Sequence, residues 1–202
     1  MLIRTLAVVL LLFPALWAGV PDAKANPARD IVFDVYRNGS AFGEHAVSFD
    51  EDADGTLRVR TDIELRVGLG PITVFHYEHD AVEVWRDGEL VSLSAQTVKD
   101  GERERVALSG AELPELPPSS HWRGYDPEVS TILNTETGEP MPVRVSDLGL
   151  ETIETAAGPV EARRIRMAGT LTVDLWYDRD GRWVGCEFEA RGQTIRYVLR
   201  NV

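Results

Sequence analysis

Hydrophobic and polar residues alternate along most of the chain, and the alternation is clearest near its C-terminal end. Apolar residues there occupy positions 171, 173, 175 and 177, then 184, 186, 188 and 190, then 195, 197 and 199. A period of two is typical of a β-strand with one face against a core and the other in water. Gly181 and Gly192 fall between the three runs, where tight turns favour glycine. The pattern predicts three antiparallel strands, with Trp176 and Trp183 on the face opposite the apolar one.

The same alternation continues upstream. It runs through Ile31–Val35 and His45–Phe49, which are separated by Asn38-Gly39, a strong hairpin dipeptide. The phase of the apolar positions changes within the run that ends at Trp85, which predicts a β-bulge near Asp80. Further strands are predicted at Leu57–Val67, Ile72–Trp85, Leu90–Val98, Arg103–Leu108, Val143–Val145, Leu150–Thr155 and Val160–Met167. Such a succession predicts an all-β protein, an antiparallel meander that forms a curved half-barrel or a β-sandwich.

One segment interrupts the strands. Residues 113–125 contain three prolines and do not suit a central strand. Asp126-Pro127 then resembles a helix N-cap followed by proline at the first helical position. Val129, Ile132 and Leu133 follow at helical spacing, so the sequence predicts one short helix, Pro127–Asn134, that serves as a lid or a plug.

The first 25 residues have the features of a cleaved signal peptide. A basic start that includes Arg4 precedes an apolar stretch, and Ala23-Lys24-Ala25 is a small-x-small cleavage site. A membrane anchor is the alternative, but the apolar stretch is shorter than the ~20 residues that a spanning helix needs. We therefore expect cleavage after Ala25, a periplasmic protein without stable membrane insertion, and a single β-rich domain over residues 26–202.

The amino-acid composition limits the classes of molecule that this protein is expected to bind. The formal net charge is −12 and no basic cluster is present, so nucleic acid is a poor partner. The single cysteine, Cys186, excludes an internal disulfide and lies on the apolar phase of its strand, as a buried and unreactive thiol would.

No motif with a catalytic mechanism stands out. Residues 50–55 have the spacing of a calcium loop but lack its later ligands, and His76 and His79 point to opposite faces of a strand. We therefore expect no metal, no cofactor and no catalytic residue. A carboxylate pair drawn from Glu83, Glu187 and Glu189 is the basis of an alternative hydrolase hypothesis.

Several motifs carry a resemblance to a known family. They are Phe75-x-Tyr77-Glu78-His79-Asp80 with Glu83-Val84-Trp85, then Trp122, then Leu133-Asn134 with Thr137-Gly138, and Asp174-Leu175-Trp176-Tyr177 with Gly181-Arg182-Trp183. In these the chain resembles exported bacterial proteins grouped as domain-of-unknown-function family 6134. More distantly it is similar to the curved-sheet periplasmic lipoprotein carriers. The resemblance implies a periplasmic β-rich protein with no assigned activity.

Aromatic residues concentrate in the same motifs, which favours a groove for an amphiphilic or envelope-derived ligand such as a lipid or a glycan. A second hypothesis is an envelope assembly or interaction protein with a filled core. The sequence leaves the oligomeric state and the ligand open. The candidate ligand-binding residues are Tyr77, His79, Trp85, Trp122, Trp176 and Arg196.

Overall fold

The computed structural model describes residues 29–69 and 72–200. Across these residues it contains thirteen β-strands and one turn of 3-10 helix at Gly110–Glu112. The predicted cleavage after Ala25 lies outside the described residues. The strands are β1 Ile31–Arg37, β2 Ser40–Glu51, β3 Leu57–Leu69, β4 Ile72–Arg86, β5 Glu89–Lys99, β6 Glu102–Ser109, β7 Thr131–Leu133, β8 Pro140–Pro142, β9 Arg144–Thr155, β10 Gly158–Ala168, β11 Thr172–Tyr177, β12 Trp183–Ala190 and β13 Gln193–Leu199.

Eleven of these strands form one antiparallel sheet in the order β6-β5-β4-β3-β2-β1-β13-β12-β11-β10-β9. The order consists of two meanders, β1–β6 and β9–β13. Strand β1 of the first meander pairs with strand β13 of the second, for example at Phe33 and Leu199. Tight turns build each meander, because Asn38-Gly39 and Arg191-Gly192 adopt the positive φ angles that two-residue hairpins require. The all-β antiparallel fold predicted from the alternation is confirmed. The sheet is open, with β6 and β9 at its edges.

The sheet is curved, and its concave face carries the main core. Side chains from strands far apart in the sheet order share one cluster, including Val59 of β3, Trp85 of β4, Ile165 of β10 and Leu175 of β11. Residues so distant along a flat sheet do not meet, so the two meanders must bend towards each other. The arrangement agrees with the half-barrel form of the prediction.

A connecting segment, residues 110–143, joins the two meanders and lies against the concave face. Leu133 packs in a cluster with Leu93 and Val106, and the ring of Trp122 is 5.7 Å from that of Trp85. The segment includes the small hairpin β7–β8, which belongs to a separate two-stranded sheet. The connecting segment therefore fills part of the space that the curved sheet encloses.

The predicted helix Pro127–Asn134 is wrong. Asp126 accepts a hydrogen bond from the backbone N–H of Glu128, as a helix cap would, but the chain forms only a turn there. Residues 131–133 then extend as β7, and the backbone of Leu133 bonds to Pro117 and Ser119. The β-branched residues in this stretch favour an extended backbone, and strand pairing uses their hydrogen bonds.

The strand prediction is also wrong about the position of the bulge in β4 and about the face on which Trp183 lies. The concave face of β4 continues through odd positions from Phe75 to Trp85 with no bulge at Asp80, because the polar residues His79 and Glu83 also point inward. The register irregularities of the sheet lie elsewhere and include one between Val84 and Trp85 and one between Trp176 and Tyr177. The second one shifts the phase of β12.

That shift places Trp183 on the concave face. Tyr177 pairs with Trp183 and Trp176 pairs with Gly185, so Val184 is the extra residue of a bulge. Trp183 is consequently fully buried with the core side chains, and the prediction that it shares the opposite face with Trp176 is wrong. Among the described residues, no helix is long and apolar enough to cross a membrane.

Candidate functional site

The concave side of the sheet holds a cavity of about 780 Å³ that the connecting segment leaves unfilled. One end of it, the open end, is bordered by residues at three hairpin turns, Arg37, Asp100 and Arg191. The opposite end, the closed end, is formed by His45, His79 and His121 with neighbouring hydroxyl side chains. From Phe75 to His79 the wall of β4 spans four residues, or about 14 Å at the usual rise of a strand.

The walls between the two ends are mostly apolar. They combine concave-face side chains of both meanders with two residues of the connecting segment, and the rings of Phe42 and Phe75 lie 5.6 Å apart near the open end. Volume, apolar walls and a few polar groups are the usual features of a small-molecule site. The principal apolar wall residues are Phe42, Ile63, Leu65, Phe75, Met141, Val143, Met167, Val173, Phe188, Ile195 and Tyr197.

The closed end is polar but uncharged. The pKa of His45 is lowered to about 3, mainly by burial and to a smaller extent by the nearby His121 and His79. Burial lowers the pKa of His121 to about 4 and also lowers that of His79. Neutral imidazoles are therefore expected at all three positions near pH 7.

Hydrogen bonds determine the tautomer of His121. The hydroxyl of Tyr125 donates to the carbonyl of Pro118 at 3.0 Å, and its single proton is thereby used. The contact of 2.7 Å between His121 Nδ1 and that hydroxyl then requires His121 Nδ1 to be the donor. Its Nε2 is left as a hydrogen-bond acceptor, while His79 Nδ1 lies 2.9 Å from Thr97 Oγ1.

A buried carboxylate anchors the connecting segment behind the closed end. Glu83 is 1% exposed and accepts hydrogen bonds from Trp85 Nε1 at 2.9 Å and Trp122 Nε1 at 3.1 Å. Burial raises its pKa, although hydrogen bonds from Ser120 and the two indoles oppose that change. Glu83 therefore ties strand β4 to the connecting segment.

Charged groups lie at the open end and along one wall. Arg37, Lys99 and Arg191 line the cavity there. Asp100 accepts a hydrogen bond from the backbone N–H of His76, and Glu136 accepts one from the Tyr77 hydroxyl at 2.6 Å. The cavity thus passes from a charged entrance, along walls that are apolar apart from Glu136 and its neighbours, to an end lined by neutral histidines.

The structure separates the predicted ligand-binding residues into three places. Tyr77 and His79 line the cavity, with their rings stacked at 6.5 Å. Trp85 and Trp122 are buried behind the closed end, in contact with Glu83 and not with the cavity.

Trp176 and Arg196 lie on the convex face and do not contribute to the cavity. The indole of Trp176 donates to Glu151 at 2.5 Å and lies 5.3 Å from the guanidinium of Arg164, while Arg196 is exposed. Their even positions on β11 and β13 point away from the concave face, which odd positions such as Leu175 and Tyr197 occupy.

The proposed lid residues are part of the core instead. Ile132 and Leu133 are fully buried, and Val129 packs against the cluster that contains Ile132. None of the three lines the cavity. They hold the connecting segment in place and do not cover an entrance.

Most of the cavity residues were absent from the predicted site, and His45 and Trp183 are two of them. The signal for His45 is visible in the sequence, since it shares the apolar phase of β2 with Val47 and Phe49. The sequence gives no such signal for Trp183, because the bulge at Val184 shifts the alternation of inward and outward positions in β12 by one residue. In the structure the Trp183 ring lies between those of His45 and His121, at 5.1 and 5.6 Å.

A second cavity, of about 830 Å³, lies on the other side of the connecting segment. Its walls include Trp85, the proline-rich residues 113–118 and Arg123, whose guanidinium lies 4.4 Å from the Trp85 ring. Volume alone does not distinguish the two cavities. The first has the buried polar side chains at its closed end and the apolar walls, and it is the candidate site.

Other chemistry proposed from the sequence has a structural explanation. Residues 52–56 form a hairpin turn in which Asp54 accepts from the backbone N–H of Thr56. Glu83 lies on the concave face and Glu187 and Glu189 belong to the convex one, so the sheet separates Glu83 from the other two. Within the described residues, no three His, Cys, Asp or Glu side chains are grouped as a metal site would require.

Fold and cavity together define an all-β protein whose open curved sheet encloses a pocket. The chain matches the family described as a domain of unknown function (DUF6134) over residues 33–200, and it belongs to that family. The match covers both meanders and the connecting segment. No curated protein sequence matches the chain.

One solved structure supports the fold. A β-barrel-like protein of domain of unknown function DUF1849 from Brucella abortus aligns with a TM-score of 0.51 and 11% identity, over 84% of this chain and 94% of that one. The crystal structure of MucB aligns with a TM-score of 0.36 and 16% identity, over 88% of this chain and 54% of that one.

Proposed function

We propose that this protein binds an amphiphilic molecule of the cell envelope within its concave cavity. The observation that carries the proposal is the cavity itself, about 780 Å³ enclosed by apolar side chains of both meanders. A core with a filled interior has few voids larger than a water molecule, so an interaction protein built only for stability does not need this space.

The distribution of charge supports an amphiphile. Arg37, Lys99 and Arg191 occur at the open end, while the walls next to them are apolar. Exposed apolar residues also border the entrance, since Val74 is 57% exposed and Leu171 is 38% exposed. A ligand with one polar and one apolar part matches this arrangement of a charged entrance and apolar walls. If the predicted export signal acts as expected, the protein meets such a ligand in the periplasm.

The test measures tryptophan fluorescence and thermal stability in the wild type and in a variant whose cavity is filled by a larger side chain. Trp183 lines the cavity, so a bound amphiphile from a panel of phospholipids, fatty acids and glycolipids should change its emission. Binding at a hundredfold excess over Kd should add about 2.7 kcal/mol to the free energy of unfolding. At about 2–4 °C per kcal/mol for a protein of this size, the Tm should rise by roughly 5–11 °C.

A matched pair of variants separates the cavity from the surface. Ala190→Trp adds a large ring on the cavity wall, whereas Ala107→Trp adds it at an exposed position of edge strand β6. Only the first should abolish the response. If no member of the panel changes emission or Tm, and native mass spectrometry finds no co-purified lipid, the proposal fails and the interaction-protein hypothesis gains support.

A further inference from the structure

His45 carries the clearest indication of what the closed end of the cavity binds. It is 4% exposed and lines the cavity, yet neither of its ring nitrogens has a hydrogen-bond partner among the described residues. Aromatic side chains surround the ring instead, with Trp183 at 5.1 Å and Tyr197 at 5.5 Å, both edge to face. Buried polar groups in folded proteins are nearly always hydrogen-bonded, so this pair of nitrogens points to a ligand group.

The charge state of the ring restricts that group. Burial lowers the pKa of His45 to about 3, so the imidazole is neutral at physiological pH and offers one N–H donor and one lone-pair acceptor. A hydroxyl both donates and accepts, and it can pair with whichever ring nitrogen faces it. A carboxylate or a phosphate accepts only.

The positions of the cations point the same way. The basic residues that line the cavity, Arg37, Lys99 and Arg191, all belong to the open end. An anion carried to the closed end would meet neutral histidines and hydroxyl groups, and burial of an unpaired charge is strongly unfavourable. The closed end therefore suits an uncharged polar group, while an anionic group would stay at the entrance.

We infer that the ligand enters the cavity with an uncharged hydroxyl-bearing end first, and that this hydroxyl hydrogen-bonds to a ring nitrogen of His45. The apolar part then lies along Ile63, Leu65 and Tyr197, which occupy the walls between the two ends. The inference rests on the proposed function and specifies the ligand class and its orientation.

The experiment compares two probes of equal chain length, 1-decanol and decane, by the change that each causes in tryptophan emission. The ratio of their affinities is measured in the wild type, in His45→Phe and in His76→Phe. His76 is the matched control because it lies on the convex face, where its Nε2 is 2.8 Å from Glu78. The two probes differ in their hydration free energies. This difference is the same for every variant, so it cancels when the affinity ratios of the variants are compared. We expect the preference for decanol to fall at least fivefold in His45→Phe and to stay unchanged in His76→Phe.

A second measurement covers the case in which His45→Phe does not fold. In the wild type, 1-decanol should shift the ¹⁵N resonances of the His45 ring, and decane should not. Equal effects of both probes on these resonances, or an unchanged affinity ratio in a folded His45→Phe, overturn the inference. Decanoate that shifts the ¹⁵N resonances of the His45 ring as 1-decanol does also overturns it, since an anion would then occupy the closed end.

The outcomes also separate the inference from the proposed function. If 1-decanol does not bind a protein that binds other members of the amphiphile panel, the hydroxyl-first inference fails alone. If the whole panel and both probes fail, both conclusions fall together.

Discussion

Replacement of Glu83 should detach the connecting segment from the sheet. The Glu83 carboxylate is fully buried, and it is the hydrogen-bond acceptor for the indole N–H groups of Trp85 and Trp122. Glu83→Ala removes that acceptor and leaves two donors buried without a partner. Each such donor costs about 1–3 kcal/mol, so the variant should lose roughly 2–6 kcal/mol of unfolding free energy.

That loss is large against the usual stability of about 5–15 kcal/mol. At about 2–4 °C per kcal/mol, the Tm should fall by about 4–24 °C. Glu83→Gln is the matched control, because its amide oxygen still accepts and its shape is nearly the same. We expect it to keep most of the stability. Thermal unfolding followed by circular dichroism measures the difference between the two variants.

The same carboxylate predicts a dependence on pH. Burial raises the pKa of Glu83 above its ordinary value of 4.5, so the folded state holds this proton more tightly than the unfolded state does. The stabilising contribution is complete below pH 4.5 and is lost as the pH rises through the folded-state pKa. Glu83→Gln should remove this part of the pH dependence. An alanine variant that melts within 1 °C of the wild type would refute the reasoning, and a glutamine variant as unstable as alanine would assign the effect to charge.

Three further predictions concern separate parts of the chain. Gly43→Ala should prevent folding or lower the Tm sharply, because a Cβ there would lie 1.9 Å from the carbonyl oxygen of Glu64. In the control variant Gly39→Ala, the new Cβ meets no atom within 4 Å but the residue has a positive φ, so the free energy of unfolding should fall by only about 1–2 kcal/mol. The Cys186 thiol is buried on the cavity wall and burial raises its pKa, so a thiol reagent should modify the native protein far more slowly than the unfolded chain, and equally rapid reaction of both would contradict this. The intact mass of the periplasmic form should correspond to a chain that starts at Asn26, whereas a membrane-bound species that retains residues 1–25 would favour the anchor.

Sequence periodicity was sufficient to predict the strands because it is a local property. Residues one and three of a strand share a face whatever the strand pairs with, so Ile31–Val35 and residues 171–177 are recognisable without a partner. The hairpin dipeptides Asn38-Gly39 and Arg191-Gly192 are equally local, since their positive φ angles depend on the turn alone. Family membership could also be read from short motifs, and the match over residues 33–200 confirms it.

Local signals failed where a partner determined the conformation. Asp126-Pro127 has the composition of a helix start, but hydrogen bonds between Leu133 and the backbone at Pro117 and Ser119 draw the chain into an extended form. The bulge at Val184 is likewise a result of pairing with β11, and it moved Trp183 from the predicted outer face to the cavity. In both cases the deciding contacts come from a paired segment that lies outside the local pattern.

The candidate site depended on the tertiary structure most of all. The sequence identified Tyr77 and His79, which share one face of a single strand. It could not bring them together with His45 and His121, because strand order and the path of the connecting segment are set by the packing of two meanders. Alternation determined which side chains face inward, and only the curvature of the sheet decided which of those would meet one another around a space.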